Sequence, residues 1–267
     1  MSTLGLYFRS IVLACMLVAT ASPLRASELT IVGTGDGLEV LQVLARIYGE
    51  KNPGLRVSIP PSIGSGGAIA AVGAGRERLG RVARALTANE VASGIVYRPI
   101  LLIPSVFYVH RDVPVRKLSS AQLRAIFAGE ITSWKELGGP DLRLRVVRRE
   151  EADSSVLVFR ASIPSFADLK FTERSKLALT TQDAITSVME NPGAIGFGPY
   201  SAELARQLGV ISMDGHAPTD RGYPSNVTLA LIYNRDRLDD DIRRFIAFLA
   251  TRDAYRAIIE TGARPAE

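Results

Sequence analysis

The chain has 267 residues, 47 % of them hydrophobic, a formal net charge of +5 and one cysteine. That length is enough for one large core or for two lobes of ordinary domain size. The mild basicity suits an anion binder but falls far short of the clustered Lys and Arg of a nucleic-acid footprint, so no nucleic-acid partner is expected, and a single cysteine leaves no internal disulfide to form.

Arg9 precedes the apolar run from Ile11 to Ala21, and small residues follow, with Ala21 or Ala26 as candidate cleavage points. The run is too short to span a bilayer with ease, which predicts a cleaved export signal over residues 1–26 rather than an anchor. Cys15 sits in a weak likeness of a lipoprotein cleavage box, but the apolar run before it is very short and continues past it, so no lipid anchor is expected there. Cleavage removes Arg9 and Arg25 and lowers the net charge from +5 to +3.

Strand-like and helical runs then alternate: a strand at Leu29 to Val32, a helix from Leu38 to Tyr48, a strand at Leu55 to Ile59, a helix from Ala68, a strand at Val82 to Ala85. This order argues for a parallel α/β lobe with ligand turns at the carboxyl ends of its strands. Ile100 to Val109 reads as one or two buried strands leaving that lobe. Ser119 or Ser120 caps a helix through Phe127 that Gly129 ends. Arg143 to Val147 is a strand and Glu151 to Ala161 a helix. Thr181 caps Ala184 to Glu190, and Asn191-Pro192-Gly193 turns into the strand Ala194 to Phe197. A strand at Val227 to Tyr233 and two amphipathic helices, Asp240 to Ala250 and Arg252 to Thr261, complete the chain.

Two glycine turns carry the chemistry. Gly33-Thr34-Gly35-Asp36-Gly37 follows the first strand, and Gly64-Ser65-Gly66 opens a small-residue helix. Free N–H groups and a serine hydroxyl at a helix N-terminus form a cradle for an oxyanion. Arg76, Arg78, Arg81 and Arg84 cluster in sequence, but their spacing spreads them over a helix end and a strand, where surface solvation is the usual fate. Catalysis finds no support. His110 and His216 have no acidic or cysteine partner at ligand spacing, Gly-x-Ser-x-Gly is absent, and neither glycine turn extends to a dinucleotide or Walker pattern. No enzyme activity, metal or cofactor is expected.

Four ordered segments resemble the phosphate-binding proteins of bacterial ABC transporters, within the periplasmic solute-binding superfamily. They are GSGGAIAAV at Gly64 to Val72, LSSAQLRAIFAGEITSWKELGG at Leu118 to Gly139, Arg149 with Ser155 and Phe159, and NPGAIGF at Asn191 to Phe197. The resemblance implies a two-lobed α/β fold of type II-like periplasmic-binding-protein architecture, with mixed sheets flanked by helices and a ligand cleft between the lobes. It implies a first lobe over residues 27–108, a second over 109–200 and a return over 201–267. It further implies a monomer in the periplasm that hands a small oxyanion, phosphate above all, to an ABC transporter permease. The ligand contacts it implies are Thr34, Gly35, Asp36, Gly37, Ser65, Gly66, Arg78, Arg149, Asp153, Ser154 and Ser155.

Three of those positions depart from the family pattern. Arg78 stands where the family's proton-accepting aspartate is expected, Asp153-Ser154-Ser155 replaces Ser-Gly-Thr, and Asp36 or Gly37 replaces a hydroxyl. A carboxylate about 4 Å from a dianion costs several kcal/mol at an effective dielectric near 20, so Asp153 must be protonated, paired with Arg149 or turned outward, or else the ligand carries a cationic part. The alternative is an interaction or signalling module that keeps the fold around an altered or vestigial pocket.

Overall fold

The computed structural model describes residues 27–266; the expected export signal and Cys15 lie outside them. In chain order the first lobe opens with β1 (Ser27–Gly33), α1 (Leu38–Lys51), β2 (Leu55–Ser58), α2 (Gly64–Gly73), β3 (Leu79–Val82) and α3 (Ala88–Ala92). The long strand β4 (Ile95–Val109) leads into the second lobe, made of β5 (Lys117–Leu118), α4 (Ser120–Ala128), β6 (Arg145–Arg148), α5 (Ser154–Ser162), β7 (Lys176–Leu177), α6 (Thr181–Glu190), β8 (Ala194–Pro199), α7 (Ala202–Gln207), β9 (Gly209–Val210) and β10 (Ser212–Met213). The chain returns through β11 (Asn226–Asn234), α8 (Asp240–Leu249), α9 (Arg252–Glu260) and β12 (Arg264–Pro265).

The strand order β2-β1-β3-β11-β4-β8-β6-β7 contains both lobes, and β4 belongs to each. Its first part, Ile95 to Pro104, pairs antiparallel with β11, and its last part, Ser105 to Val109, pairs antiparallel with β8. In the first lobe β1 runs parallel to β2 and β3, so the turns after β1 and β3 open at the same edge of the sheet. The chain recrosses beside the first crossing, where the Ser105 amide donates to the Ser225 carbonyl at 2.9 Å.

Each lobe has its own core. In the first, α1 buries Val40, Leu41, Leu44 and Tyr48, and Tyr48 meets Phe245 of α8 edge to face at 5.4 Å. In the second, Phe107 stacks on Phe159 at 4.6 Å, and Phe127, Phe166 and Phe197 close around them. Each such ring contributes about 2–3 kcal/mol by leaving water. Trp134 is wholly buried and donates Nε1–H to the Gly193 carbonyl at 2.8 Å, which ties the Leu118 to Gly139 segment to the turn before β8.

The lobe boundaries differ from those expected. Val106, Phe107 and Tyr108 already belong to the second core, and so do Leu204, Leu208, Ile211, Met213 and Tyr223. The crossings therefore lie near residues 104 and 225, and residues 201–224 pack with the second lobe instead of returning to the first. That stretch carries only short elements, too brief for a periodic pattern to assign.

Candidate functional site

The first glycine turn is held from beneath by an arginine. Arg81 on β3 is fully buried, and its guanidinium donates to the carbonyls of Thr34 at 2.7 Å, of Pro60 at 2.8 Å and of Ile31. Burial lowers its pKa to about 10, with Asp36 opposing the drop. Arg81 thus joins the ends of β1 and β2 to the turn, and the expectation of a solvated arginine there is corrected. Gly33 is the residue that permits the close approach: it has φ 145°, and a Cβ on it would lie 2.0 Å from the Arg81 carbonyl oxygen.

Beyond Gly33 the turn faces two ways. Thr34 lines the cleft between the lobes, whereas Gly35 and Gly37 face a smaller cavity of about 120 Å³ behind it, shared with Thr181 and Tyr200. Asp36 is 2 % exposed and lines neither cavity. Its Oδ1 accepts from Thr181 Oγ1 at 3.0 Å, and its amide donates to Thr34 Oγ1 at 3.2 Å. Desolvation and then the facing Asp153 raise the Asp36 pKa to about 7, against the pull of Thr181, Arg149 and Arg81.

The second turn begins α2 at Gly64, whose amide donates to Ser62 Oγ at 3.2 Å; Ile63 at the N-cap offers no side-chain acceptor, so the amides that follow are left to the cleft. Ser65 Oγ accepts from the Ala83 amide at 3.1 Å and shares a hydrogen bond of 3.1 Å with Ser154 Oγ of the second lobe. Gln182 Nε2 reaches the Gly35 carbonyl at 3.4 Å. The lobes meet through these groups and the Asp36–Thr181 contact.

From the second lobe, Arg149 follows β6 and is 6 % exposed. Its Nη1 donates to the Ala178 carbonyl at 2.6 Å and its Nη2 to Asp153 Oδ2 at 2.5 Å, while its buried Nε has no partner. Asp153 caps α5, with Oδ1 accepting from the Ser155 amide at 3.0 Å. One carboxylate thus serves the helix end and the guanidinium together, which is the Arg149 pairing that the sequence left open.

Thr34, Ser65, Gly66, Arg149, Asp153 and Ser154 line one cleft of about 830 Å³ between the lobes. Ser155 is buried behind Ser154 and does not line it. Arg78 does not reach it either. Arg78 precedes β3, at the amino end of the strand, where it pairs with Asp239 at 2.7 Å and Asp241 at 3.4 Å and donates to the Glu28 carbonyl. The cleft opens at the carboxyl ends, and there Arg84, which the sequence assigned to surface solvation, lines it. Arg84 is held by both oxygens of Glu90 at 2.8 and 2.9 Å, which lowers the Glu90 pKa to about 2. The signal that would have found Arg84 is strand direction: β3 ends at Val82, so the ligand side begins after it.

The cleft therefore offers amides, hydroxyls and a buried arginine to an oxyanion, with Arg149 and Arg84 each already matched by a carboxylate. Among the described residues no group of His, Cys, Asp and Glu could hold a metal ion, and no helix is long and apolar enough to cross a membrane.

A sequence profile of the PBP superfamily domain matches residues 18–253. Phosphate-binding protein PstS of Bacillus subtilis (strain 168) is 22 % identical over 241 residues, covering 88 % of this chain and 79 % of that protein. Among solved structures, a Clostridium perfringens substrate-binding protein with bound phosphate superposes with a TM-score of 0.79 at 23 % identity, over 90 % of this chain and 100 % of that one. An ABC-type phosphate transport receptor from Vibrio cholerae gives a TM-score of 0.63 at 25 % identity over the same shares.

Proposed function

The chain belongs to the PBP superfamily, and from that premise we propose that it is an exported solute-binding protein that captures phosphate between its lobes and delivers it to an ABC transporter permease. The observation that carries the reading is the convergence of Ser65, the first turn of α2 and the Arg149 guanidinium on one cleft between two lobes. The relatives named for phosphate binding and transport support the ligand class.

In this reading lobe closure replaces the water around the anion with fixed donors: the first amides of α2, the hydroxyls of Thr34, Ser65 and Ser154, and Arg149. Those donors are oriented before the ligand arrives, because Arg81 fixes the first turn and the Ala83 amide fixes Ser65. Release follows when the lobes part about the paired crossings near residues 104 and 225. No step in this cycle breaks a covalent bond, and the chain acts without a cofactor.

Isothermal titration of the protein beginning at Ser27, freed of bound anion, against phosphate, sulfate, molybdate and arsenate tests the proposal. The expected result is one phosphate per chain; a folded protein silent to all four rejects the oxyanion reading. The Arg149–Asp153 pair favours a second reading, a fold-retaining interaction or signalling module, because it satisfies the guanidinium without any ligand. Silence in the titration would leave that reading standing.

A further inference from the structure

A bare tetrahedral anion would occupy a small part of this cleft, whose volume of about 830 Å³ is in the range that encloses whole small organic molecules. The rest of its wall is mixed: Ser62, Arg84, Thr87, Glu150 and Thr180 give it polar stretches, and four large apolar side chains stand among them. Ile63 and Leu86 of the first lobe and Leu157 and Leu179 of the second all line it. Ile63 is 53 % exposed, Leu157 43 % and Leu179 63 %. Scattered single leucines on a surface need no explanation, but here side chains from both lobes converge on one opening.

Their places are fixed by the anion seat itself. Leu179 directly follows Ala178, whose carbonyl holds Arg149. Leu157 lies one helical turn beyond Asp153, to whose carbonyl its amide donates at 3.1 Å. Ile63 is the residue before α2 and lies over that helix's first turn, within 3.2 Å of the space beside Gly67. Ile63, Leu157 and Leu179 therefore each lie beside a proposed donor or the group that holds one, and Leu86 lines the same cleft.

Resting on the phosphate reading above, we infer that the cleft is built for a phosphoryl oxyanion bearing a short apolar substituent, with the anion seated at Ser65 and Arg149 and the substituent held between Ile63 and Leu86 on one side and Leu157 and Leu179 on the other. A phosphate ester and an alkylphosphonate share this chemistry. Closure of the lobes then removes the substituent and the four side chains from water together, so that selectivity arises from apolar burial added to a common anion seat.

The test is isothermal titration of the anion-free protein with inorganic phosphate, methyl phosphate, n-butyl phosphate and n-butylphosphonate. Each methylene fully buried tightens binding by about fourfold, so even partial burial of three predicts n-butyl phosphate binding on the order of tenfold tighter than methyl phosphate. Comparing the two butyl compounds distinguishes ester from phosphonate as the preferred linkage. In the Leu157→Gln, Leu179→Gln variant, both positions being exposed, the butyl advantage should fall below about threefold while the affinity for inorganic phosphate stays within twofold of the parent. Phosphate bound with no gain from methyl to butyl overturns the apolar subsite and leaves the phosphate reading intact. Absence of binding by all four overturns both.

Discussion

Replacing Asp36 by asparagine should stabilise the ligand-free protein at neutral and higher pH and lose that advantage in acid. Asp36 is buried, accepts a hydrogen bond from Thr181 and faces a second carboxylate, Asp153, with Arg149 and Arg81 offsetting only part of the cost. Its pKa in the folded protein, about 7, stands above the ordinary 3.8, so the native state keeps a proton that the unfolded chain has released. The sign follows: stability from this group is greatest below pH 4, declines as pH rises toward 7 and is flat above. About three pH units at about 1.4 kcal/mol each give an upper figure on the order of 4 kcal/mol. Asparagine keeps the acceptor for Thr181 and carries no charge, so the gap between variant and parent should widen across that window. Urea unfolding of both proteins between pH 4 and 8.5 measures it. Parallel stability curves, offset by a constant, would refute the account of Asp36 as a buried carboxyl with a raised pKa.

Asp153→Asn keeps the helix cap of α5 but removes the carboxylate beside the anion seat and frees Arg149, so phosphate should bind at least tenfold tighter by titration; unchanged affinity would place Asp153 outside the ligand's field. Arg81→Met leaves three carbonyls at the turn without their donor and should cost about 3 kcal/mol or more in urea unfolding. Gly35→Ala places a methyl group 2.8 Å from Thr181 and Gln182, so it should hold the lobes apart, raising the radius of gyration in X-ray scattering and weakening phosphate binding. Arg149→Ala should abolish phosphate binding while leaving the near-ultraviolet signal of the buried Trp134 unchanged.

Where local chemistry is strong, the chain could be read directly. Ser119 caps α4 and Gly129 ends it in the left-handed conformation, as the run from Leu118 to Gly139 implies. The turn at Asn191-Pro192-Gly193 feeds β8 as expected. Reading failed where a tertiary contact overrides the local pattern. α2 starts at Gly64 rather than Ala68, because Gly64, Gly66 and Gly67 hide a helix that the sheet beneath it stabilises. β3 runs from Leu79 to Val82 instead of Val82 to Ala85, because a charged residue, Arg81, occupies a buried strand position that only three carbonyls from other segments make tolerable. Arg78 was expected in the cleft from the family resemblance, and the direction of β3 puts it at the opposite end of the strand. At the site, the pairing of Arg149 with Asp153 was one of several options in the sequence, and only the geometry of β6 against α5 selects it.

The strand β11 sits in the middle of the first lobe's sheet, between β3 and β4, although it comes from residues 226–234. A ribosome that has made the first 200 residues has therefore made a lobe with its central plank missing: β3 and β4 have no hydrogen-bonded neighbour in common until the last fifth of the chain arrives. Pairings so distant in sequence form late and slowly. The first lobe therefore cannot complete its sheet until β11 has been made, an order of assembly that the topology alone imposes.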